Sequence, residues 1–460
     1  MPSATIGYRL VRGVVRLLLW LFYRRIDVIG REHVPRDGPV IVAANHHNAL
    51  VDPMLVIAVL PRPVMALAKA PLFRHPLIGP FLWMVGAVPV HRRLEAGDDP
   101  RKNEAMFAAG IAALRAGGGL LIFPEGRSQP QPLLLPVRTG AARLLLGTES
   151  APGGPGGVAL LPVGMVFRDA GTFRSASVQI TIGEPIPTAD VVALYRERPE
   201  DAVRTLTDRL AAAIRERIVE AEDNHTLALL TVLEHAWDAE RGSDTAAPEE
   251  AGARSLAWKQ EVMRAARYLS EREPHRVAAL RQRVELYRAH LDEVGITSRQ
   301  LGRPYTAPLV ARYVVENLLW LMLGLPLALV GFASHAAPYW LTDRVARWLP
   351  RTAEEEATHK MAAGVVLYPL LWANEAWLLW SVAGRAAAVA FLVLLAPSGL
   401  LALAWQERLG AVARQARAFL TFLTDRDLHR RLLDERRALV ADLRALADMV
   451  PPEAREHHAR

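Results

Sequence analysis

The chain has 460 residues, enough for two or three domains, and it contains no cysteine. Disulfides, thiolate metal sites and cysteine nucleophiles are therefore excluded. Hydrophobic residues make up 51% of the chain, which points to membrane segments. The net charge of +7 comes almost wholly from arginine and suits an anionic membrane surface or a phosphorylated substrate. No helix-turn-helix, zinc-finger or aromatic RNA-binding pattern accompanies this charge, so nucleic acid is not expected as a partner.

The N-terminal stretch carries an apolar run at residues 17–23, framed by arginines on both sides. This run is too short to span a bilayer, and no small-residue cleavage site follows it. We expect residues 1–30 to form an amphipathic helix in the membrane interface, with its arginines on lipid phosphates. The alternative is a first core helix of a soluble domain.

Between about residues 26 and 190, short apolar segments alternate with helical patterns, which predicts an α/β domain over residues 31–190. The predicted strands are 40–44, 64–68, 86–90, 119–123, 158–166 and 177–182. Helices are predicted at 104–116 and 138–147.

Residues 191–305 change to charged, Ala-rich and Leu-rich patterns that predict helices, among them 202–221 and 255–270. The polar, acidic stretch 238–252 contains glycine and proline and predicts a linker. No residue in this region is singled out for function.

The region 306–405 is the most apolar part of the chain. Residues 317–342 and 386–405 contain no charged side chain, and 361–384 is almost as apolar, so we expect two or three membrane segments. A charged amphipathic helix is predicted within 406–460. A catalytic domain and an arginine-rich tail on the same cytoplasmic side require an even number of crossings.

Two adjacent histidines follow the predicted strand 40–44. His47 and Asp52 are separated by four residues, enough chain to bring the two side chains together. A histidine held by a carboxylate has a fixed tautomer and suits a general base acting on a hydroxyl. Asp52, followed by Pro53, is predicted as the N-cap of a helix. His46 is expected to point elsewhere, because neighbouring side chains of an extended chain alternate.

The segment that carries His46 and His47 is called the histidine loop. Three later stretches could share one site with it. Gly86 begins a strand segment that leads to Arg92, Phe123–Ser128 follows another strand, and Pro162 lies inside a third. Ligands usually bind at strand ends in α/β sheets, and arginine offers forked donors to phosphate.

With these blocks in this order, residues 35–190 resemble the glycerolipid acyltransferase family, which includes glycerol-3-phosphate and 1-acylglycerol-3-phosphate acyltransferases. The matching positions are His47 with Asp52 (His, four residues, Asp), Gly86 with Arg92, Phe123–Gly126 (Phe-Pro-Glu-Gly), Pro162, and Lys69 in a basic stretch. The resemblance implies a mixed sheet flanked by helices, followed here by a helical region and C-terminal transmembrane helices.

Two features depart from the lysophosphatidate enzymes. Arg127 follows Gly126 directly, whereas those enzymes usually have threonine there. This form, the downstream segment 135–141 and the later membrane segments look more like membrane-bound enzymes that acylate glycerol-3-phosphate or dihydroxyacetone phosphate. The resemblance therefore favours the first acylation step.

The resemblance implies transfer of a fatty acyl group to a hydroxyl of glycerol-3-phosphate or 1-acylglycerol-3-phosphate in phospholipid synthesis. The donor is either acyl-coenzyme A or acyl-carrier protein, and no cofactor or metal is expected. His47 would be the base and Asp52 its orienting group. The implied acceptor-site residues are Lys69, Arg92 and Arg127 on the phosphate, together with Glu125 and Gly126. Glu125 would either accept from a substrate hydroxyl or hold a neighbouring arginine.

Three other interpretations remain open. One is a lysophospholipid acyltransferase that remodels existing lipids, and another is a non-catalytic, lipid-binding membrane scaffold. The third is a metal hydrolase built on His46, His47, Asp52 and His91. In the favoured interpretation the protein is a multi-pass membrane enzyme with its catalytic domain on the cytoplasmic side and the lipid bilayer as a partner.

Overall fold

The computed structural model describes residues 5–74, 78–90, 100–168, 177–242, 248–302, 307–348 and 356–452. They divide into two compact units. The first, called the sheet unit, comprises Met1–Asn224, Ala247–Gln260 and Arg351–Thr358. The second, called the helical unit, comprises His225–Ala246, Glu261–Pro350 and His359–Arg460.

The sheet unit begins with helix α1 (Ile6–Phe22), whose N-cap residue Thr5 accepts a hydrogen bond from the Tyr8 N–H at 3.1 Å. One face of α1 is buried and includes Val11, Val15 and Leu19. Further apolar side chains of α1, among them Leu10 and Trp20, are exposed. A helix is present near the N-terminus as predicted, but it spans Ile6–Phe22 rather than residues 1–30, because Arg25–Ile29 form a strand. Its place in the membrane interface stays a prediction.

Seven strands and six further helices complete the α/β part of the unit. They are β1 (Arg25–Ile29), β2 (Val40–Ala44), α2 (Val51–Val59), β3 (Met65–Lys69), α3 (Ile78–Met84), β4 (Val88–Val90), α4 (Pro100–Arg115), β5 (Gly119–Ile122), α5 (Gly140–Ser150), β6 (Ala159–Arg168), β7 (Ser177–Ile182), α6 (Ala189–Tyr195) and α7 (Pro199–Arg215). The prediction omitted β1, a half-exposed strand that follows the arginine-rich run and contains two charged residues, Arg25 and Asp27.

The strands form one mixed sheet in the order β1-β7-β6-β2-β5-β3-β4. The five strands from β6 to β4 are parallel, β7 runs antiparallel to β6, and β1 is parallel to β7. The central strand β2 is buried along its whole length, as expected for a parallel strand covered on both faces. The carboxyl ends of β2, β5 and β3 consequently meet at one edge of the sheet.

Two arginines of α1 have a different role from the one predicted. Arg12 donates to the Leu60 carbonyl, and Arg16 donates to the Ala58 carbonyl at 3.0 Å, both at the C-terminal end of α2. The last carbonyls of a helix lack intrahelical donors and carry partial negative charge, so cations bind there favourably. These two side chains therefore join α1 to α2 instead of being free for lipid phosphates.

The rest of the chain is helical. The remaining helices are α8 (Asn224–Arg241), α9 (Pro248–Ser270), α10 (Pro274–Val294), α11 (Ser298–Leu301), α12 (Ala307–Trp348), α13 (Glu356–Thr424) and α14 (Arg426–Asp448). The predicted linker 238–252 is too long, because helix occupies its first four residues and its last five. The predicted charged helix after residue 405 is interrupted at Asp425, whose side chain caps α14 by accepting from the Leu428 N–H.

Helices α12 and α13 are long and apolar enough to cross a membrane, over Val310–Trp348 and His359–Thr424. Only 22% and 28% of their most apolar windows are buried, so most of this apolar surface faces outward. Helix α13 is not continuous, because Gly384 has φ 86° and ψ 174° and divides it into residues 356–383 and 385–424.

The contact between α12 and α13 relies on small residues and a few polar pairs. Arg408 donates to the Asn317 side chain at 2.6 Å, and the Trp405 indole donates to the Leu321 carbonyl at 2.8 Å. At Gly331 the helices approach so closely that a Cβ atom would lie 2.1 Å from the Ser398 carbonyl oxygen. A side chain at this position would force the helices apart.

We expect Gly331→Ala to destabilise the helical unit by ~1–3 kcal/mol, because overpacking a close contact displaces backbone. Gly364→Ala is the matched control, since its Cβ would meet only the Thr342 and Tyr368 side chains at 3.9 Å. Thermal unfolding in detergent measures both. Equal melting temperatures for the two variants would contradict the packing described.

Candidate active site

Asp52 closes the loop between β2 and α2. Its carboxylate is fully buried, and Oδ2 accepts hydrogen bonds from the backbone N–H groups of His47 at 2.6 Å and Asn48 at 2.8 Å. Helix α2 begins at Val51 and its N-cap residue is Leu50, so Asp52 lies inside the first turn of the helix. The prediction that Asp52 is the N-cap residue is therefore wrong. Its carboxylate still performs the function of a cap, since it satisfies free N–H groups of the preceding loop.

The same oxygen of Asp52 pairs with the imidazole of His46, not with that of His47. The distance from His46 Nδ1 to Asp52 Oδ2 is 2.8 Å. The predicted contact between the imidazole of His47 and the carboxylate of Asp52 is wrong. The physical reason is local: the His47 N–H points at the carboxylate, while its side chain lies among residues of β6.

The His46 ring is held in a defined orientation. It stacks on Phe123, with ring centroids 4.1 Å apart and planes 20° apart, and 12% of the side chain remains exposed. With the Nδ1 proton directed at Asp52, Nε2 carries a free lone pair. This arrangement can accept a proton from a hydroxyl and stabilise the resulting imidazolium.

His47 is buried and belongs to the core. Its Nδ1 lies 3.2 Å from the Asn45 side-chain nitrogen, and its ring packs 5.5 Å from that of Phe167. Burial lowers the pKa of the His47 imidazole, although the Asp52 charge acts in the opposite direction. The two histidine rings therefore face different partners and do not converge on one point.

Asn45 continues the sheet beyond the end of β2 and was not among the predicted site residues. Its side-chain oxygen accepts from the Met165 N–H at 2.7 Å, and its nitrogen donates to the Met165 carbonyl at 3.0 Å. The amide thus imitates a backbone pair and fixes the start of the histidine loop to β6. An asparagine directly before a histidine at a strand end was the available sequence signal.

Glu125 is a second buried carboxylate that holds this loop. Oε1 accepts from the His46 N–H at 2.7 Å, and Oε2 accepts from the Leu135 N–H at 2.9 Å. The predicted contact of Glu125 with a substrate hydroxyl or a neighbouring arginine stays a prediction. Burial raises the pKa of Glu125 to about 7, although both backbone hydrogen bonds act to lower it.

Three cations lie on the elements that meet at this edge of the sheet. Lys69 ends β3 and is exposed, and Arg127 is exposed directly after the Phe123–Gly126 turn. Gly126 has φ 73°, and a Cβ atom there would lie 2.9 Å from Nε of Arg138. Arg138, which the prediction did not include as a site residue, therefore packs against this turn. Within the described ranges, none of these three cations forms an ion pair.

The remaining predicted positions lie before and on β4 and β6 or outside the described residues. Arg92, together with His91, lies outside the described residues. Pro162 lies in β6 beside Ala43 of β2, as predicted for a strand proline. Gly86 has φ 68° and precedes β4, so it forms the turn that leads into that strand.

Known proteins resemble this part of the chain in sequence. Residues 25–166 match the sequence profile of the acyltransferase family. This segment is an acyltransferase-family domain. It contains β1 to β5, most of β6, the histidine loop and both buried carboxylates, so the predicted family is confirmed.

The acyltransferase domain has relatives of known name. The 1-acyl-sn-glycerol-3-phosphate acyltransferase of Borreliella burgdorferi is 26% identical over 45% of this chain and 78% of its own length. The 1-acyl-sn-glycerol-3-phosphate acyltransferase alpha of Ovis aries is 26% identical over 43% of this chain and 65% of its own. The structure of the acyltransferase PlsC from Thermotoga maritima covers 44% of this chain and 77% of its own, with 21% identity and a TM-score of 0.33.

Glu125 provides a test of how the histidine loop is held. Because its pKa in the folded state, about 7, exceeds its ordinary value of 4.5, its contribution to stability is complete below pH 4.5 and is lost as the pH rises through 7. The difference corresponds to ~3 kcal/mol. We expect Glu125→Gln to remove this loss, so that the free energy of unfolding varies less with pH between 4.5 and 8 than in the wild type.

Denaturant unfolding at a series of pH values measures this effect. Glu184→Gln is the control, because Glu184 is exposed in the same unit. A pH dependence of Glu125→Gln equal to that of the wild type would show that the carboxyl group titrates normally.

Proposed function

We propose that this chain transfers a fatty acyl group from an acyl thioester to a hydroxyl of a glycerol phosphate. The donor is an acyl-coenzyme A or an acyl-carrier protein. The observation that supports this function best is the His46–Asp52 pair, with a free Nε2, inside an acyltransferase-family domain. The chemistry required is proton removal from an alcohol, for which this pair is suited.

In the proposed mechanism, Nε2 of His46 takes the hydroxyl proton while the alcohol oxygen attacks the thioester carbonyl. Asp52 stabilises the imidazolium that forms. The tetrahedral intermediate then expels the thiolate as the carbon–sulfur bond breaks, and the thiolate recovers the proton from His46. The ester and the free thiol are the products, and no acyl-enzyme is formed. His46 replaces His47 as the proposed base.

The cations at the edge of the sheet would bind the phosphate of the acceptor. Lys69 and Arg127 keep their predicted role, Arg138 joins them, and Arg92 remains a prediction. Guanidinium groups form paired, charge-assisted hydrogen bonds with phosphate oxygens. Such anchoring would hold the hydroxyl near Nε2 of His46 and reduce the entropy lost on reaching the transition state. Glu125 would position the backbone of His46, and Gly126 would make room for Arg138.

Two acceptors have separate support. Most named relatives are 1-acylglycerol-3-phosphate acyltransferases, although one is a glycerol-3-phosphate O-acyltransferase. The Glu-Gly-Arg-Ser sequence at 125–128 and the later apolar helices favour glycerol-3-phosphate. We propose 1-acylglycerol-3-phosphate as the first acceptor, with glycerol-3-phosphate second, and place the reaction in phospholipid synthesis. Remodelling of other lysophospholipids is a third outcome that the same assay detects.

We further propose that the protein works on a lipid bilayer. The outward apolar surface of α12 and α13 supports membrane crossing by these helices. A multi-pass topology with the acyltransferase domain on the cytoplasmic side stays the expectation from the sequence. Helix α1 adds an exposed apolar face with Ile6 84%, Leu10 64% and Trp20 53% exposed, and Trp83 of α3 is 64% exposed. An amphipathic helix with such a face binds in the membrane interface.

The assay of the proposed function uses the full-length protein in detergent micelles, a labelled acyl donor and the three acceptor classes. We expect acylation of a glycerol phosphate by the wild type and a loss of about 10²–10⁴-fold in kcat for His46→Gln. His47→Gln is the matched neighbour and should keep kcat within about tenfold while unfolding at a lower temperature, because its role is packing.

The opposite ranking, with His47→Gln inactive but folded and His46→Gln active, would return the catalytic role to His47. Absence of acylation with every acceptor, in a folded and membrane-bound protein, would favour the non-catalytic scaffold.

The proposed binding of the acceptor phosphate by arginines can be tested separately. We expect Arg127→Gln and Arg138→Gln each to raise the KM for the acceptor by about tenfold, the loss of one charge-assisted contact, with little change in the KM for the donor. Arg143→Gln, which removes an exposed arginine on α5 of the same unit, is the control. Equal effects on the two KM values would contradict a phosphate-binding role.

A further inference from the structure

A groove lies between the two segments of α13 on either side of Gly384. Its volume is about 640 Å³, within the range of about 300–1,000 Å³ that is typical of small-molecule sites. Residues 369–380 of the first segment form one wall, and residues 385–395 of the second form the other. The non-helical conformation of Gly384 produces the groove, because it turns the second segment so that both line the same space.

The walls of the groove are apolar, and one end carries a cation. The first wall presents three indole rings and two alanines, and the second presents Ala388, Val389, Leu392 and Leu395. Arg385 lies at the start of the second wall. At 1.5 Å per residue, the wall from Arg385 to Leu395 is ~15 Å long. This shape suits one extended hydrocarbon chain with an anionic group at one end.

Charge narrows the class of ligand. Arg385 is the only charged residue between Glu375 and Glu407, and it forms no ion pair within the described part of the chain. A lipid head group that supplies anionic oxygens would complement this cation at the end of the groove.

We propose that this groove binds the acyl chain of a single-chain lipid phosphate, with the phosphate paired to Arg385. The proposal rests on the proposed function only in placing α13 in a bilayer. It defines a site in the helical unit, separate from the residues that would carry out acyl transfer. A site of this kind would hold a lipid of the same chemical class as the acceptor.

The test uses the full-length protein in phosphatidylcholine nanodiscs, with a lysophosphatidate analogue that carries a photoreactive acyl chain. A lysophosphatidylcholine analogue with the same chain is the comparison. We expect crosslinks within residues 369–395 and a preference for the phosphate monoester of at least about fivefold. Unlabelled lysophosphatidate should compete, whereas inorganic phosphate should not.

Two variants and a matched control locate the site. Ala388→Trp fills the groove and should abolish the crosslink, whereas Ala390→Trp places the same side chain at an exposed position outside the groove and should leave it unchanged. Arg385→Gln should remove the preference for phosphate while keeping acyl-chain labelling.

Labelling spread evenly over outward residues such as Leu323 and Val393, independent of head group, would overturn the proposal and indicate surrounding bilayer lipid only. A crosslink between two copies of the chain in place of lipid would overturn it as well. The His46→Gln protein should be labelled like the wild type, so failure of the groove and failure of acyl transfer are separate results.

Discussion

The site depends on one buried carboxylate. Asp52 lies at the start of α2 and gathers three donors on a single oxygen: two backbone N–H groups of the preceding loop and the ring of His46. The other oxygen of Asp52, Oδ1, is buried and has no hydrogen-bond partner among the described residues. A buried charge is costly unless it is paired, so the three donors on Oδ2 favour this conformation of the loop. That conformation directs His46 toward the sheet edge and His47 into the core. The chemistry proposed for this protein therefore follows from which groups donate hydrogen bonds to Asp52.

Other parts of the domain support the same loop from outside. Asn45 fixes its beginning to β6, and Glu125 joins the His46 backbone to the segment that carries Arg138. A reactive side chain held by several neighbours loses little entropy when substrate binds, which is the advantage of a preorganised site. Because the parallel strands β2, β5 and β3 end at one edge, the proposed base and the cations Lys69 and Arg127 lie on adjacent strand ends.

Sequence patterns predicted the elements better than the contacts. The bounds of β2 and β7 agree with the prediction residue for residue. Strand β2 is an apolar run, whereas β7 alternates polar and apolar residues, and both patterns are typical of strands. The choice between His46 and His47 could not be made from spacing, since either residue lies within reach of Asp52 along the chain. It depends on which backbone N–H groups the carboxylate takes, and that is decided by the geometry of the helix start. The break in α13 falls where the predicted apolar segments 361–384 and 386–405 meet, beside Arg385. The sequence did not show that a positive φ at Gly384 produces the change of direction.

The central claim is that His46 and Asp52 act as one unit, and a double-mutant cycle tests it most directly. The kcat of acyl transfer would be measured for His46→Gln, Asp52→Asn and the double variant, with the His47→Gln and Asp52→Asn pair as the parallel cycle. The account predicts that the double variant of His46 and Asp52 is no slower than His46→Gln alone, because the second change has nothing left to orient. Independent, additive losses for that pair, with non-additive losses for His47 and Asp52, would contradict it.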